Sequence, residues 1–210
     1  MPWQAMLNRI WYNKKVKQKN HKRSEFVLLL IGPSGSGKGT QADFLKRKIP
    51  RLRVIQTGPM LRALAKRRTL TAGFLRPYLI EGLLVPRWLA SFTWLKIIFE
   101  TVQEGESLLF DGAPRQVSEA RLLDSVLLWH KKPLAKAIFL DISPEVAKER
   151  LLKRGRSDDT SDAIRERIKF YHKNVVPVIR YYAEKKRLIR LNANKSPSEI
   201  SKDLQKALGL

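Results

Sequence analysis

The chain has 210 residues, with 42 Lys and Arg against 19 Asp and Glu for a formal net charge of +23, 43% hydrophobic residues and no cysteine. That length suits one globular domain able to bury about 70% of its unfolded surface, and the lack of cysteine excludes disulfides and any thiolate zinc site. The longest clean apolar run, residues 26–31, is far shorter than the roughly 20 residues of a membrane-spanning helix, so a soluble protein in a reducing compartment is expected, and the charge predicts attraction to polyanions without specifying a fold.

Residues 1–24 carry seven basic side chains and no carboxylate. Trp3, Met6, Leu7 and Ile10 recur at helical spacing with Trp11 beside them. Two readings follow: a disordered basic tail, because an isolated helix this short is marginal in water, or a short amphipathic helix making weak contact with nucleic acid or an anionic membrane. Basic residues without acids also match an organellar presequence, which leaves an organellar matrix open beside a cytoplasmic location.

From residue 25 onward, short apolar runs alternate with helical stretches. The runs at 26–31, 53–56, 108–110, 136–142 and 188–191 are bounded by Gly, Pro, Asn or Asp, as buried parallel strands are. Pro86, Ser143-Pro144-Glu145 and Ser196-Pro197 with Glu199 mark helix starts. Strand, crossover helix and strand in repetition predict an α/β fold, an open parallel sheet with helices on both faces, with its ligand crevice at the carboxyl ends of the strands.

Directly after the first run stands Gly32-Pro33-Ser34-Gly35-Ser36-Gly37-Lys38-Gly39-Thr40, and a helical pattern follows it. This is a P-loop in its required context: inward-turned backbone N–H groups, the positive end of a helix behind them, and Lys38 placed to reach the β- and γ-phosphates of a nucleotide. Gly39 occupies the place where Ser or Thr normally follows the lysine, with Thr40 one position later. A metal ion is therefore expected to rest on phosphates and water, with Thr40 or Asp111 contributing from further away.

Three further stretches sit at strand ends or on adjoining helices: Thr57-Gly58-Pro59-Met60-Leu61-Arg62, Gly82-Leu83-Leu84-Val85-Pro86 and Asp111-Gly112-Ala113-Pro114-Arg115. They place Arg62 and Arg115 around the cavity that Lys38 faces, where planar guanidinium forks suit phosphate oxygens. Asp111 is read as the only acid closing a strand beside the cradle. Downstream, Arg150, Arg154, Arg156, Arg165 and Arg167 cluster around a turn at Gly155, with Asp158 and Asp159 as ion-pair partners. Such a cluster either neutralises a transferring phosphoryl group or is a charged helix end of little consequence.

These motifs, with R-x-D-D and the I-R-E-R-I helix in the same order, resemble adenylate kinase and its nucleoside monophosphate kinase relatives over about residues 26–209. The resemblance implies a P-loop three-layer fold with a five-stranded parallel sheet and a helical monophosphate-binding insert at 57–86. It also implies a short, zinc-free lid at about 154–160, a monomer, and the reaction ATP + AMP = 2 ADP with Mg2+. By motif position, Gly35, Ser36, Gly37, Lys38, Gly39 and Thr40 would hold the ATP phosphates, and Thr57, Arg62, Val85, Gly112 and Arg115 the monophosphate. Arg154, Arg156 and Arg167 would clamp the moving group, and Lys195 sits where the family touches the ATP adenine through backbone.

The chain departs from the pattern at Pro59, Ala113 and Arg87, and above all at Glu119. That position typically carries a Gln that reads the AMP base. An ionised Glu only accepts hydrogen bonds and leaves adenine N1 facing a carboxylate, at a cost of about 1 to 3 kcal/mol. Guanine, with two donors on the corresponding edge, suits it better, unless Glu119 points to solvent or serves a nearby arginine. A monophosphate kinase for another base such as GMP or CMP, and a nucleic-acid or anionic-surface binding protein with a vestigial kinase core, are the alternatives.

Overall fold

The computed structural model describes residues 25–81, 83, 85–155 and 161–210. Strands β1 (Val27–Ile31), β2 (Leu52–Gln56), β3 (Ser107–Asp111), β4 (Lys136–Asp141) and β5 (Leu188–Asn192) form one sheet in the order β2-β3-β1-β4-β5. Every pairing is parallel, and each strand lies within one residue of the run read from the sequence.

Nine helices cover the sheet among the described residues: α1 (Lys38–Lys48), α2 (Thr57–Ala65), α3 (Leu70–Ile80), α4 (Arg87–Thr101), α5 (Val117–Trp129), α6 (Pro144–Arg154), α7 (Ser161–Phe170), α8 (Val176–Glu184) and α9 (Pro197–Leu208). A π-helical turn, Tyr171–Val175, joins α7 to α8. The expected starts hold. Ser143 Oγ accepts from Val146 N, and Ser196 with Glu199 forms a reciprocal capping box that satisfies otherwise orphaned donors. No described helix is long and apolar enough to cross a membrane.

The central strand explains the three layers. All five residues of β1 are buried, and alternation sends Val27, Leu29 and Ile31 into a core with Phe110, Trp94 and Tyr182. Leu28 and Leu30 enter a second core with Leu45, Ile138, Leu140 and Ile200 on the opposite face. A third, smaller cluster of Leu61, Ala65, Leu75 and Leu89 belongs to α2, α3 and the start of α4. Because β1 is flanked by β3 on one side and β4 on the other, the chain direction reverses around it, which opens a crevice beyond its carboxyl end.

Asp124 on α5 ties two layers together. Its carboxylate accepts from Arg187 Nη1 at 2.9 Å and Nη2 at 2.6 Å, and from Tyr181 Oη at 2.7 Å. The bond to Asp124 holds the Arg187 guanidinium above its usual pKa against the effect of burial. Asp124→Ala would leave a mostly buried guanidinium without its anion, so a loss of about 3 kcal/mol in urea unfolding is expected. An unchanged midpoint and slope would show that the pair is dispensable.

Candidate active site

A cavity of about 620 Å³ opens at the carboxyl ends of β1, β2 and β3, within the size range of small-molecule sites. Its floor is the β1–α1 loop. Gly35 has φ +86°, and a Cβ there would lie 2.5 Å from the Ala147 carbonyl oxygen, so the loop is pressed against α6. Gly37 has φ +88° with nothing within 4 Å of a built Cβ, so its backbone faces open cavity. Ser36 is buried between them. Helix α1 starts at Lys38 with no acid and no side-chain cap in its first turn, which leaves its N–H groups and positive dipole end to an anion. Lys38 Nζ donates to Gly32 O at 2.9 Å and Pro33 O at 2.8 Å, closing the loop on itself.

The opposite wall comes from β2, β3 and the insert. Thr57 is buried and its hydroxyl donates to Gly112 O at 3.2 Å, while Arg115 Nε donates to the same carbonyl at 2.8 Å. Gly112 has φ +92°, and a Cβ there would press within 2.8 Å of Thr57 Oγ1. Burial pulls the Arg115 guanidinium below its usual pKa; Glu119 and Asp111 oppose that, and Arg167 adds to it. Arg62, Val85 and Arg167 line the same space.

Glu119 does not point to solvent. It is 3% exposed and lines the cavity, with Oε1 accepting from Ser91 Oγ at 3.2 Å and Oε2 from the Arg115 backbone N–H at 2.6 Å. From the first turn of α5 it reaches back past the N-cap Gln116 to the Arg115 N–H, tying the helix start to the strand-end loop.

Asp111 ends β3 inside the cavity and accepts from Gln56 Nε2 at 3.2 Å. Its other near neighbour is Gly39, whose built Cβ would lie 3.8 Å from Asp111 Oδ2; Thr40, exposed, follows on α1. A second acid closes a strand next to β1 on its other side. Asp141 closes β4, but Arg190 holds it with bonds of 2.9 and 2.6 Å, and it stays out of the cavity.

The downstream arginines divide. Arg167 reaches the cavity from α7. Arg154 ends α6 ahead of Gly155, which has φ +62° and ψ +33° as an αL cap; the Arg154 side chain and residues 156–160, with Arg156, Asp158 and Asp159, lie outside the described residues. Lys195 is not brought to the cavity wall. Its ammonium pairs with Asp203 at 2.7 Å, which raises its pKa, and its carbonyl accepts from Arg150 Nη2 at 2.7 Å.

Arg150, read from sequence as part of the downstream cluster, lines the cavity, and so do two residues that were given no site role there. Arg87 donates to Ser118 Oγ at 2.8 Å. Tyr171 lies in the π-helical turn, with burial, then Asp141, pushing its pKa up to about 12 against Arg190. Tyr171 carried no local signal, and Arg87 stood out only as a departure from the family pattern.

A family model described as adenylate kinase matches residues 30–187. Among curated relatives, adenylate kinase 1 of Nostoc sp. is 32% identical over 87% of this chain and 98% of its own length. The adenylate kinase of Prochlorococcus marinus strain AS9601 is 36% identical over 86% and 97%, and that of Thermus thermophilus is 31% identical over 88% and 97%.

The two loop glycines give separable expectations. Gly35→Ala would drive a Cβ into backbone and should lower the thermal midpoint markedly. Gly37→Ala meets only the strain of a positive φ, about 1 kcal/mol, yet should weaken tripolyphosphate binding at least about tenfold in calorimetry by blocking close approach. Parent-like binding in Gly37→Ala would remove the loop from the anion site.

Proposed function

Because the chain belongs to the adenylate kinase family, we infer that it transfers the γ-phosphoryl group of ATP to AMP, giving two ADP. The observation that carries this reading is the convergence of Lys38, Arg62, Arg115 and Arg167 with an open helix N-terminus on one cavity. Phosphoryl transfer asks a protein mainly to hold two anions in line and to neutralise the moving group.

In this reading the loop from Gly35 to Thr40 cradles the donor phosphates, with backbone N–H groups beneath and the Lys38 ammonium turned from its loop carbonyls onto phosphate oxygen. Arg62 and Arg115 grip the acceptor phosphate beside Thr57, Val85 and Gly112. The Gly112 carbonyl holds Arg115 by its Nε, which leaves the outer edge of the guanidinium for phosphate. Arg167, with Arg154 and Arg156 from the neighbouring segment, neutralises the group in flight. Lys195, fixed by Arg150, offers backbone to the donor base.

Magnesium fits this site as a companion of the phosphates and not in a protein cage. No cluster of three His, Cys, Asp or Glu side chains exists among the described residues. Thr40 and Asp111 would supply one hydroxyl and one carboxylate, with phosphate and water completing the shell. Bound there, the ion would screen polyphosphate charge. The seven basic residues of 1–24 support contact with an anionic partner.

Initial rates with AMP, GMP, CMP and UMP test the assignment, and GMP turnover well above AMP would overturn it. Lys38→Ala and Arg115→Ala are each expected to lower kcat/KM by about a hundredfold or more, with Lys38→Ala unfolding close to the parent temperature. Glu119→Gln should act the other way. Its amide oxygen can still accept from Arg115 N–H while its NH2 donates to Ser91 or to adenine N1, so KM for AMP is expected to fall about tenfold. A KM that rises, or does not move, would show that Glu119 does not face the base.

A further inference from the structure

The amino edge of the sheet, opposite the cavity, combines exposed aromatic rings with clusters of basic side chains. Helix α4 ends near β3, α5 ends near β4, and β1 begins beside both. At this corner Phe99 is 60% exposed and Trp129 75% exposed, far more than large apolar side chains usually are. Phe99 stacks on His130 at 5.9 Å with 20° between the rings, and Trp129 packs edge-on against the same imidazole at 4.6 Å. Leu128, next to Trp129, is 63% exposed.

The connections into β2 and β4 are basic, while the one into β3 carries Glu104 and Glu106, the latter paired with Arg53, and no base. Residues 46–51, leading into β2, carry four basic side chains and no acid, and residues 130–136, leading into β4, carry three lysines and no acid. Lys46, Lys48 and Lys136 are exposed. The first described residue, Glu25, is held in the same corner by Lys132 at 2.6 Å. Segment 1–24, which precedes Glu25 in the sequence, adds seven positive charges and the apolar Trp3, Met6, Leu7, Ile10 and Trp11 to the chain.

From this we infer that the amino edge of the sheet is a docking surface for an anionic lipid bilayer, with Phe99, Leu128 and Trp129 seated among the headgroups and the surrounding lysines facing their negative charge. Aromatic side chains with a polar edge favour that depth, and basic residues near an anionic surface add attraction that salt screens. Two signals together, apolar insertion and a basic surface such as Lys46, Lys48 and Lys136 supply, favour stable reversible attachment. Lipid suits the corner better than single-stranded nucleic acid. A stacking platform is built from ring faces, whereas here Phe99 gives one face to His130 and the exposed Leu128 beside Trp129 adds aliphatic surface on which no base stacks. Docking by this edge leaves the carboxyl edge, with its cavity, turned to solution.

The test is sedimentation of the full chain with phosphatidylcholine vesicles, alone or mixed with phosphatidylglycerol. Binding confined to the mixed vesicles and weakened by added salt is expected. Phe99→Ser/Trp129→Ser should lower vesicle affinity about tenfold while turnover stays at the parent level. Lys48→Glu/Lys136→Glu, confined to exposed side chains, should lower it with reduced salt sensitivity, which keeps the test valid if the aromatic variant folds poorly. Equal binding to both vesicle types, parent-like affinity in both variants, tighter binding to single-stranded RNA than to vesicles, or a dimer that the aromatic variant abolishes would each overturn the inference.

Discussion

A guanidinium held beneath a cavity must find acceptors that do not use up its charge, and Arg115 sets this constraint for the site. Its Nε is spent on the Gly112 carbonyl and its backbone N–H on Glu119. The carboxylates of Glu119 and Asp111 favour its charged form, while burial and Arg167 disfavour it. The positive φ of Gly112 follows from this arrangement, since any side chain there would collide with Thr57 and crowd Arg115. Positive charge is thus stored at a point where a phosphate can claim it, and removing the phosphate leaves the group tolerably satisfied. The same logic holds on the facing wall, where Lys38 rests on its own loop carbonyls.

What was legible in the sequence was legible because it is local. Five short apolar runs, a loop whose glycines must turn inward and a helix cap such as Ser196 with Glu199 each depend on neighbours within a few residues, and the structure places them within a residue of expectation. The strand-end motifs shared one cavity because a parallel sheet brings carboxyl ends together whatever the side chains are. What was not legible is tertiary. Ser91 meets Glu119 across 28 residues and Arg150 meets the Lys195 carbonyl across 45, and nothing in either segment announces the other. Asp141 shows the converse failure. It closes a strand beside β1 as Asp111 does, but the outcome turns on Arg190, one strand further along.

Glu119 combines both kinds of information. Sequence position is the ground for proposing it as a base reader; its contacts show a carboxylate that also ties the start of α5 to the Arg115 backbone and joins α5 to α4 through Ser91. A carboxylate has about four lone-pair directions, so two donors leave acceptor capacity directed at the cavity. The residue can therefore hold the wall and still meet an exocyclic amino group. What it cannot do is donate, and the departure from Gln falls on that one function.

The way α4 is built decides how the insert is attached. Its first turn contributes Leu89 to the small cluster with Leu61, Ala65 and Leu75, whereas Trp94 and Ile98, further along the same helix, are sunk in the main core against Phe110. One continuous helix thus belongs to two cores. At its other end the insert joins the sheet without a linker, since α2 starts at Thr57 directly after β2. Ser91, bonded to Glu119, lies between Leu89 and Trp94, so the tie to the cavity wall sits where the helix passes from one core to the other.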